Sequence, residues 1–203
     1  MASGQDLVKI AQAESGTKEN GTNNVKYNTW FYGHEVDGSN YPWCAVFVSW
    51  CADKAGITTD IMPKTASAGY FAHYANQGHG EVFTNKNPEA GDLFLINYNG
   101  SDWANHVGIV ASCDGSNITT IEGNSSDMVR SRTLSMSGLT FVHFNLDSSS
   151  GMTAPWTARE VPNIGRDLAT KAYMAYQLYT DKSSGGYSYL WGSNSTTANG
   201  GLR

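Results

Sequence analysis

Apolar positions along the first half of the chain recur at helical spacing. Leu7, Ile10 and Ala11 share one face and predict a short helix over residues 5–14, with Glu14 near its end. Residues 15–40 lose that period. They are polar and rich in Gly and Asn, broken only by Tyr27, Trp30, Phe31 and Tyr32, and read as a loop pinned by aromatic residues. Pro42 stands where a first helical residue tolerates proline. Residues 43–55 follow as a mainly apolar helix, with Gly56 as its stop. A helix apolar on most of its surface is the buried central helix of its domain. Residues 65–76 predict a second short helix.

From about residue 82 the period changes to that of strands. Leu93 to Ile96, Val107 to Ser112, Ile118 to Glu122, Val129 to Leu134 and Leu139 to Phe144 are short apolar or alternating runs separated by turn residues. Asp114-Gly115 is a tight-turn signal that makes the second and third of these a hairpin. Helices first and strands after define an α+β domain, with N-terminal helices packed on an antiparallel β-sheet. That domain is expected to span residues 1–146. At Asp147-Ser148-Ser149-Ser150-Gly151 the composition turns linker-like. Ile164, Leu168, Ala172, Ala175 and Leu178 restore helical spacing over 163–180, and residues 181–203 are too poor in apolar side chains for a core of their own. Residues 147–203 are therefore read as a linker and tail, or the start of a further module. The tetrapeptide Asp-Gly-Ser-Asn occurs at 37–40 and 114–117 with unrelated flanks, which is turn chemistry and not an internal repeat.

The chain of 203 residues is 40% hydrophobic and 15% charged, a globular composition. Its formal net charge of -5 argues against nucleic acid as the main partner, since phosphate binding needs a basic face. No run approaches the roughly 20 apolar residues of a membrane span, so no membrane insertion is expected. The N-terminus lacks a basic segment followed by an apolar core, so no secretory signal is expected. Three cysteines do not make a disulfide framework. Cys44 and Cys51 on one helix would stand ~10 Å apart, too far for a bridge. Cys51 and Cys113 are read as small apolar residues, a bond between them being the alternative.

Cys44 opens the apolar helix. The helix dipole and unpaired backbone N–H groups there favour a thiolate, and the Cys44 N–H can face an oxyanion on an attacked carbonyl. His106 begins a strand in Asn105-His106-Val107-Gly108-Ile109-Val110, sharing a face with Gly108 and Val110. Gly108 is expected to leave room beside the imidazole for a helix or a substrate. His34, His73 and His79 lie in polar or loop-like contexts, and His143 inside an apolar strand reads as structural. If the chain turns at Asp114-Gly115, Glu122 returns level with the start of the His106 strand. A carboxylate there can hold the imidazole tautomer as the third member of a triad. Asn124 is the alternative for that task, or orients the group that performs it.

These residues resemble the CHAP (cysteine, histidine-dependent amidohydrolase/peptidase) domains of phage lysins and bacterial wall hydrolases. The resemblance rests on Tyr41-Pro42-Trp43-Cys44-Ala45-Val46-Phe47-Val48-Ser49-Trp50-Cys51, on Pro88-Glu89-Ala90-Gly91-Asp92-Leu93, on His106-Val107-Gly108-Ile109-Val110 and on Ile121-Glu122-Gly123-Asn124. Glu14 and Trp30 add to it, and it covers about residues 5–145. It implies a papain-like fold with a central antiparallel sheet. It further implies Cys44 as nucleophile, His106 as general base, Glu122 as the residue orienting His106, and Asn124 beside that triad. The tail inherits nothing from it.

The chemistry expected from the resemblance is acyl transfer at amide bonds of bacterial peptidoglycan. The bond is either the one an N-acetylmuramoyl-L-alanine amidase cuts or one that an endopeptidase cuts. Tyr32, Asn40 and Tyr41 are candidates for a second oxyanion donor. Trp43, Trp103 and Tyr98 are candidates for groove walls, with ordinary packing as the plainer reading. Asp37 and Asn40, with Glu35 nearby, invite a calcium ion but lack the full ligand series of the common calcium loop, so no metal and no cofactor is expected. An NlpC-type peptidase ranks lower, because Trp43-Cys44-Ala45-Val46 stands where that group has Asp-Cys-Ser-Gly. The alternative from another class is an inactive wall-binding or phage-tail structural protein. Action is expected outside the cell on the wall, by a phage-type lysin released at lysis or by a piece of a secreted hydrolase.

Overall fold

The computed structural model describes residues 2–97 and 104–146. Helix α1 (Gly4–Ala13) opens on a capping box: the Asp6 N–H donates to Ser3 Oγ at 3.2 Å and the Ser3 N–H returns to Asp6 Oδ2 at 3.1 Å. Helix α2 (Lys26–Tyr32) falls inside the segment expected to be a loop. Its aromatic and β-branched residues are indifferent helix formers. Tertiary packing overrides that preference, because Tyr27 is wholly buried against Trp43, Phe47 and Trp50, and Gly33 ends the helix at φ +79°. The central helix α3 (Cys44–Lys54) starts two residues after Pro42, with Trp43 as its N-cap. Residues Cys44 to Ser49 are all buried, as the apolar pattern requires. Helix α4 (Ala68–Tyr74) runs into a π-turn (Ala75–His79) with Gly78 at φ +99°.

The strands are β1 (Gly80–Phe83), β2 (Leu93–Ile96), β3 (His106–Cys113), β4 (Asn117–Glu122), β5 (Arg130–Ser135) and β6 (Thr140–Phe144). They form one antiparallel sheet in the order β1-β6-β2-β3-β4-β5. Strand β1 goes beyond the sequence expectation. Alternation divides the apolar side chains between two faces. Leu93, Leu95, Val107, Ile109, Ile121 and Val142 join the helices in the main core. Phe83, Phe94, Val110, Ile118, Leu139 and Phe141 form a smaller cluster on the other face. A fully buried Leu, Ile, Val or Phe contributes on the order of 1.5–3 kcal/mol, so α3 is held mainly by this burial.

The hairpin of β3 and β4 turns where expected. Asp114 Oδ1 accepts from the Ser116 and Asn117 N–H groups at 2.8 and 2.7 Å. The register then shifts once. Cys113 and Ser112 face Ile118 and Thr119, whereas Val110 and Ile109 face Thr120 and Ile121, leaving Ala111 as the extra residue of a β-bulge. All three cysteines are free: Cys51 is buried in the core, and Cys113 lies half-buried against Met136. No helix among the described residues is long and apolar enough to cross a membrane. The linker at 147–151, the helix expected over 163–180 and the rest of the tail lie outside the described residues.

Candidate active site

Cys44 is the first residue of α3 and is 6% exposed. The N-cap Trp43 side chain makes no capping bond, and the first intrahelical bond runs from the Phe47 N–H to the Trp43 carbonyl. The N–H groups before that bond, Cys44's among them, have no intrahelical acceptor. The helix N-terminus meets the sheet at the start of β3 and the end of β4. A Cβ on Gly123 would strike Phe47 Cβ at 2.4 Å and Trp43 at 2.9 Å, so only glycine lets the strand end lie this close to the helix.

His106, the first residue of β3, is 8% exposed. Its Nε2 meets Glu122 Oε2 at 2.8 Å, and Cys44 acts on the same ring as a neighbour that favours its charged form. Burial alone would disfavour the imidazolium. The bonds and charges of Cys44 and Glu122 outweigh it and push the His106 pKa up to about 9. Glu122 is wholly buried. Burial would raise its pKa, but hydrogen bonds from His106, Arg132 and Thr120 hold it at about 2. Thr120 Oγ1 donates to Glu122 Oε1 at 2.5 Å; Arg132 donates from Nε to Oε1 at 2.9 Å and from Nη2 to Oε2 at 2.7 Å.

The bulge at Ala111 makes this constellation, because a one-residue slip moves every later side chain to the other face. Without it, Glu122 would share the side of Ile109 and the helices. With it, Glu122 falls beside Gly108 on the face of His106. The space beside the imidazole expected at Gly108 is therefore filled by the protein itself. A Cβ there would lie 2.6 Å from Phe94 Cε1 and 2.7 Å from Glu122 Cγ.

Other candidates fall elsewhere. Asn124 does not reach the imidazole: its Nδ2 donates to Asn23 Oδ1 at 3.4 Å, and the alternative that gave it the place of Glu122 fails on that geometry. Trp43 is no groove wall. It is wholly buried, stacks on Tyr27 with 5.5 Å between centroids, and donates from Nε1 to Glu19 Oε2 at 2.8 Å. Tyr32 and Tyr41 are half-buried and meet edge to face at 5.3 Å, and Asn40 is exposed. Trp103 and Tyr98 lie outside the described residues. Asp37 and Glu35 are exposed, and Asp37 lies against Gly21, whose Cβ would meet its carboxylate at 2.6 Å. Glu14 ends α1 paired with Lys26 and bonded by the Tyr27 hydroxyl at 2.6 Å, which fastens α2 to α1. Trp30 carries Lys64 Nζ at 4.2 Å over its ring.

His143 is a structural residue with a partner: its Nδ1 meets the buried Asp92 Oδ1 at 2.7 Å. The pair borders a cavity of about 170 Å³ together with Gly4, Glu89 and Leu146. Asp92 immediately precedes β2 while His106 faces Ile96 at that strand's other end, so this cavity is remote from Cys44.

Sequence reasoning missed Arg132 and Thr120. The signal was present: Arg130, Arg132 and Leu134 alternate along one face of β5, and pairing that strand with β4 sets Arg132 opposite Thr120, one step from Glu122.

In the comparison with family models, the CHAP domain model matches residues 36–124. Cys44, His106, Glu122 and Asn124 all lie within that span. Among solved structures, the crystal structure of Ly7917 is similar at 15% identity and a TM-score of 0.47, over 70% of this chain and 62% of that one. A second structure, Ly7917 with the hydrolyzing product of MDP, is similar at 17% identity and a TM-score of 0.46, over 70% and 63%. The chain thus spans less than two thirds of the length of the solved structures it matches. The comparison with curated proteins finds no match.

Proposed function

We propose that this protein is a peptidoglycan hydrolase that cleaves amide bonds of the bacterial cell wall, with Cys44 as nucleophile, His106 as its acid and base, and Glu122 holding the imidazole. The observation that supports this most is the 2.8 Å bond between His106 and the buried Glu122, with Cys44 acting on the same imidazole, all within the segment that matches the CHAP domain.

The proton of the Cys44 thiol passes to His106, whose neighbours favour the imidazolium. The thiolate attacks the amide carbonyl carbon, and the Cys44 N–H at the uncapped helix end faces the resulting oxyanion. The C–N bond breaks as His106 returns the proton to the leaving amine, which gives a thioester and a free amine. Water, deprotonated by His106, then cleaves the thioester to a carboxylic acid and restores the thiol. Tyr32, Tyr41 and Asn40 are proposed for the rim on which the substrate settles, and the work is proposed to take place outside the cell, on the wall itself.

The test is mass spectrometry of purified peptidoglycan after incubation with the native chain and with Cys44→Ala. Fragments are expected only from the native chain, and their new ends separate a muramoyl-alanine amidase from an endopeptidase. Intact walls of several chemotypes after treatment with folded native protein would overturn the proposal in favour of a wall-binding or structural role.

A further inference from the structure

Glu122 is bound from one side by the group it orients and from the other by a group the triad does not require. We propose that Arg132 is a positioning residue for this site: its guanidinium fork fixes the plane and the ionisation of Glu122, and thereby sets the pH range in which Cys44 and His106 act as a pair. The proposal rests on the catalytic reading given above.

The geometry argues it in three steps. First, Glu122 is wholly buried, and a lone carboxylate there would take up a proton instead of remaining charged. Second, Arg132 reaches both oxygens, Nε to Oε1 at 2.9 Å and Nη2 to Oε2 at 2.7 Å, so the carboxylate cannot rotate without breaking a charge-assisted bond. Thr120 fills the second site on Oε1 at 2.5 Å, and His106 Nε2 meets Oε2 at 2.8 Å. Third, Oε2 is shared between the imidazole and the guanidinium, so Arg132 competes with His106 for the same negative charge.

The charged groups around the pair come from separate elements. Cys44 faces His106 from α3, Glu122 from β4, and Arg132 backs Glu122 from β5, while the Phe94 ring of β2 lies 6.2 Å from the imidazole. Arg130, the register partner of Glu122, donates to Ser125 Oγ at 2.9 Å. With thiolate, imidazolium, carboxylate and guanidinium in a row, the signs alternate and the charge sums to zero. Loss of the guanidinium leaves a buried negative excess. The imidazolium then becomes harder to deprotonate, and Glu122 easier to protonate.

The experiment uses the full chain. The His106 ring is titrated by NMR, and the rate of Cys44 alkylation by iodoacetamide is followed against pH; neither needs peptidoglycan. In Arg132→Gln the His106 midpoint is expected to rise by about one unit, and the fall of alkylation in acid to begin at higher pH. Arg132→Lys keeps the charge and loses the fork, so it should hold the native midpoint while alkylation slows about tenfold. A Gln variant that melts earlier but keeps both profiles in place would overturn the proposal and leave Arg132 as a strand buttress. Should the Gln variant not fold, a Lys variant with native midpoint and native alkylation rate would overturn it equally. Failure of the wall assay alone, with the shifts present, would strike the substrate reading and not this one.

Discussion

The Cβ that Gly108 lacks would stand 2.7 Å from Cγ of Glu122, so the carboxylate behind His106 occupies the volume of a missing side chain on the neighbouring strand. Phe94 closes the same space from β2, with Cε1 at 2.6 Å. In Gly108→Ala the methyl group must displace a ring, a carboxylate or both. Overpacking of this kind costs about 1–3 kcal/mol. The expected outcome is a lower urea midpoint together with a shifted His106 titration, because Glu122 cannot withdraw without lengthening its bond to the imidazole. A variant with native His106 titration would show that Phe94 alone yields.

The titration of the pair gives a pH dependence of opposite sign at its two ends. His106 is raised to about 9, so its contribution to stability is full below the unfolded value of about 6.5 and is lost as pH rises through 9. Glu122 is lowered to about 2, so its contribution is full above the unfolded carboxylate range and is lost as pH falls through 2. Stability followed by urea unfolding from pH 3 to 10 should therefore fall at both extremes. In Glu122→Gln the acid fall from this group should vanish and the His106 midpoint should drop. An unchanged alkaline profile in that variant would contradict the assignment of Glu122 as the partner of His106.

Much of this arrangement was readable in the residues because it depends on local period. The apolar run after Trp43 gave α3, and Asp114-Gly115 gave the hairpin that returns Glu122 toward His106. What escaped depends on contacts that period does not encode. The bulge at Ala111 decides which face Glu122 takes, yet Ala111 has no side-chain signature of a bulge. Helix α2 is made by the burial of Tyr27 and not by propensity, so Tyr27, Trp30, Phe31 and Tyr32 read as pins of a loop. Trp43 beside the nucleophile invites a role in substrate binding, but Glu19, 24 residues earlier, claims its indole N–H. Arg132 was missed for a similar reason: its alternation along β5 is legible, but the pairing with β4 that sets it opposite Thr120 is not written in either strand's own period.

At Asn124 the roles of backbone and side chain can be separated. Its φ is +55°, in the left-handed region that favours Gly and Asn, and Ser126 and Asp127 follow at +54° and +60°. Its amide bonds Asn23, itself at φ +60°, whose carbonyl accepts from Asn28 Nδ2 at 2.8 Å. That same Asn28 amide holds the Tyr41 carbonyl at 2.9 Å, three residues before Cys44. Asn124→Gly keeps the backbone and removes the amide, while Asn124→Ala also strains the turn by about 1 kcal/mol. With the amide on Asn23 and not on His106, both variants should keep the native His106 titration, and Asn124→Ala should unfold at lower urea than Asn124→Gly. Wall digestion should fall in both by a similar factor if the amide meets substrate, and only in Asn124→Ala if the turn alone matters. The 3.4 Å reach to Asn23 is long for a hydrogen bond and leaves the amide light to move, so we expect the first pattern, checked by digestion rates of both variants on one wall preparation.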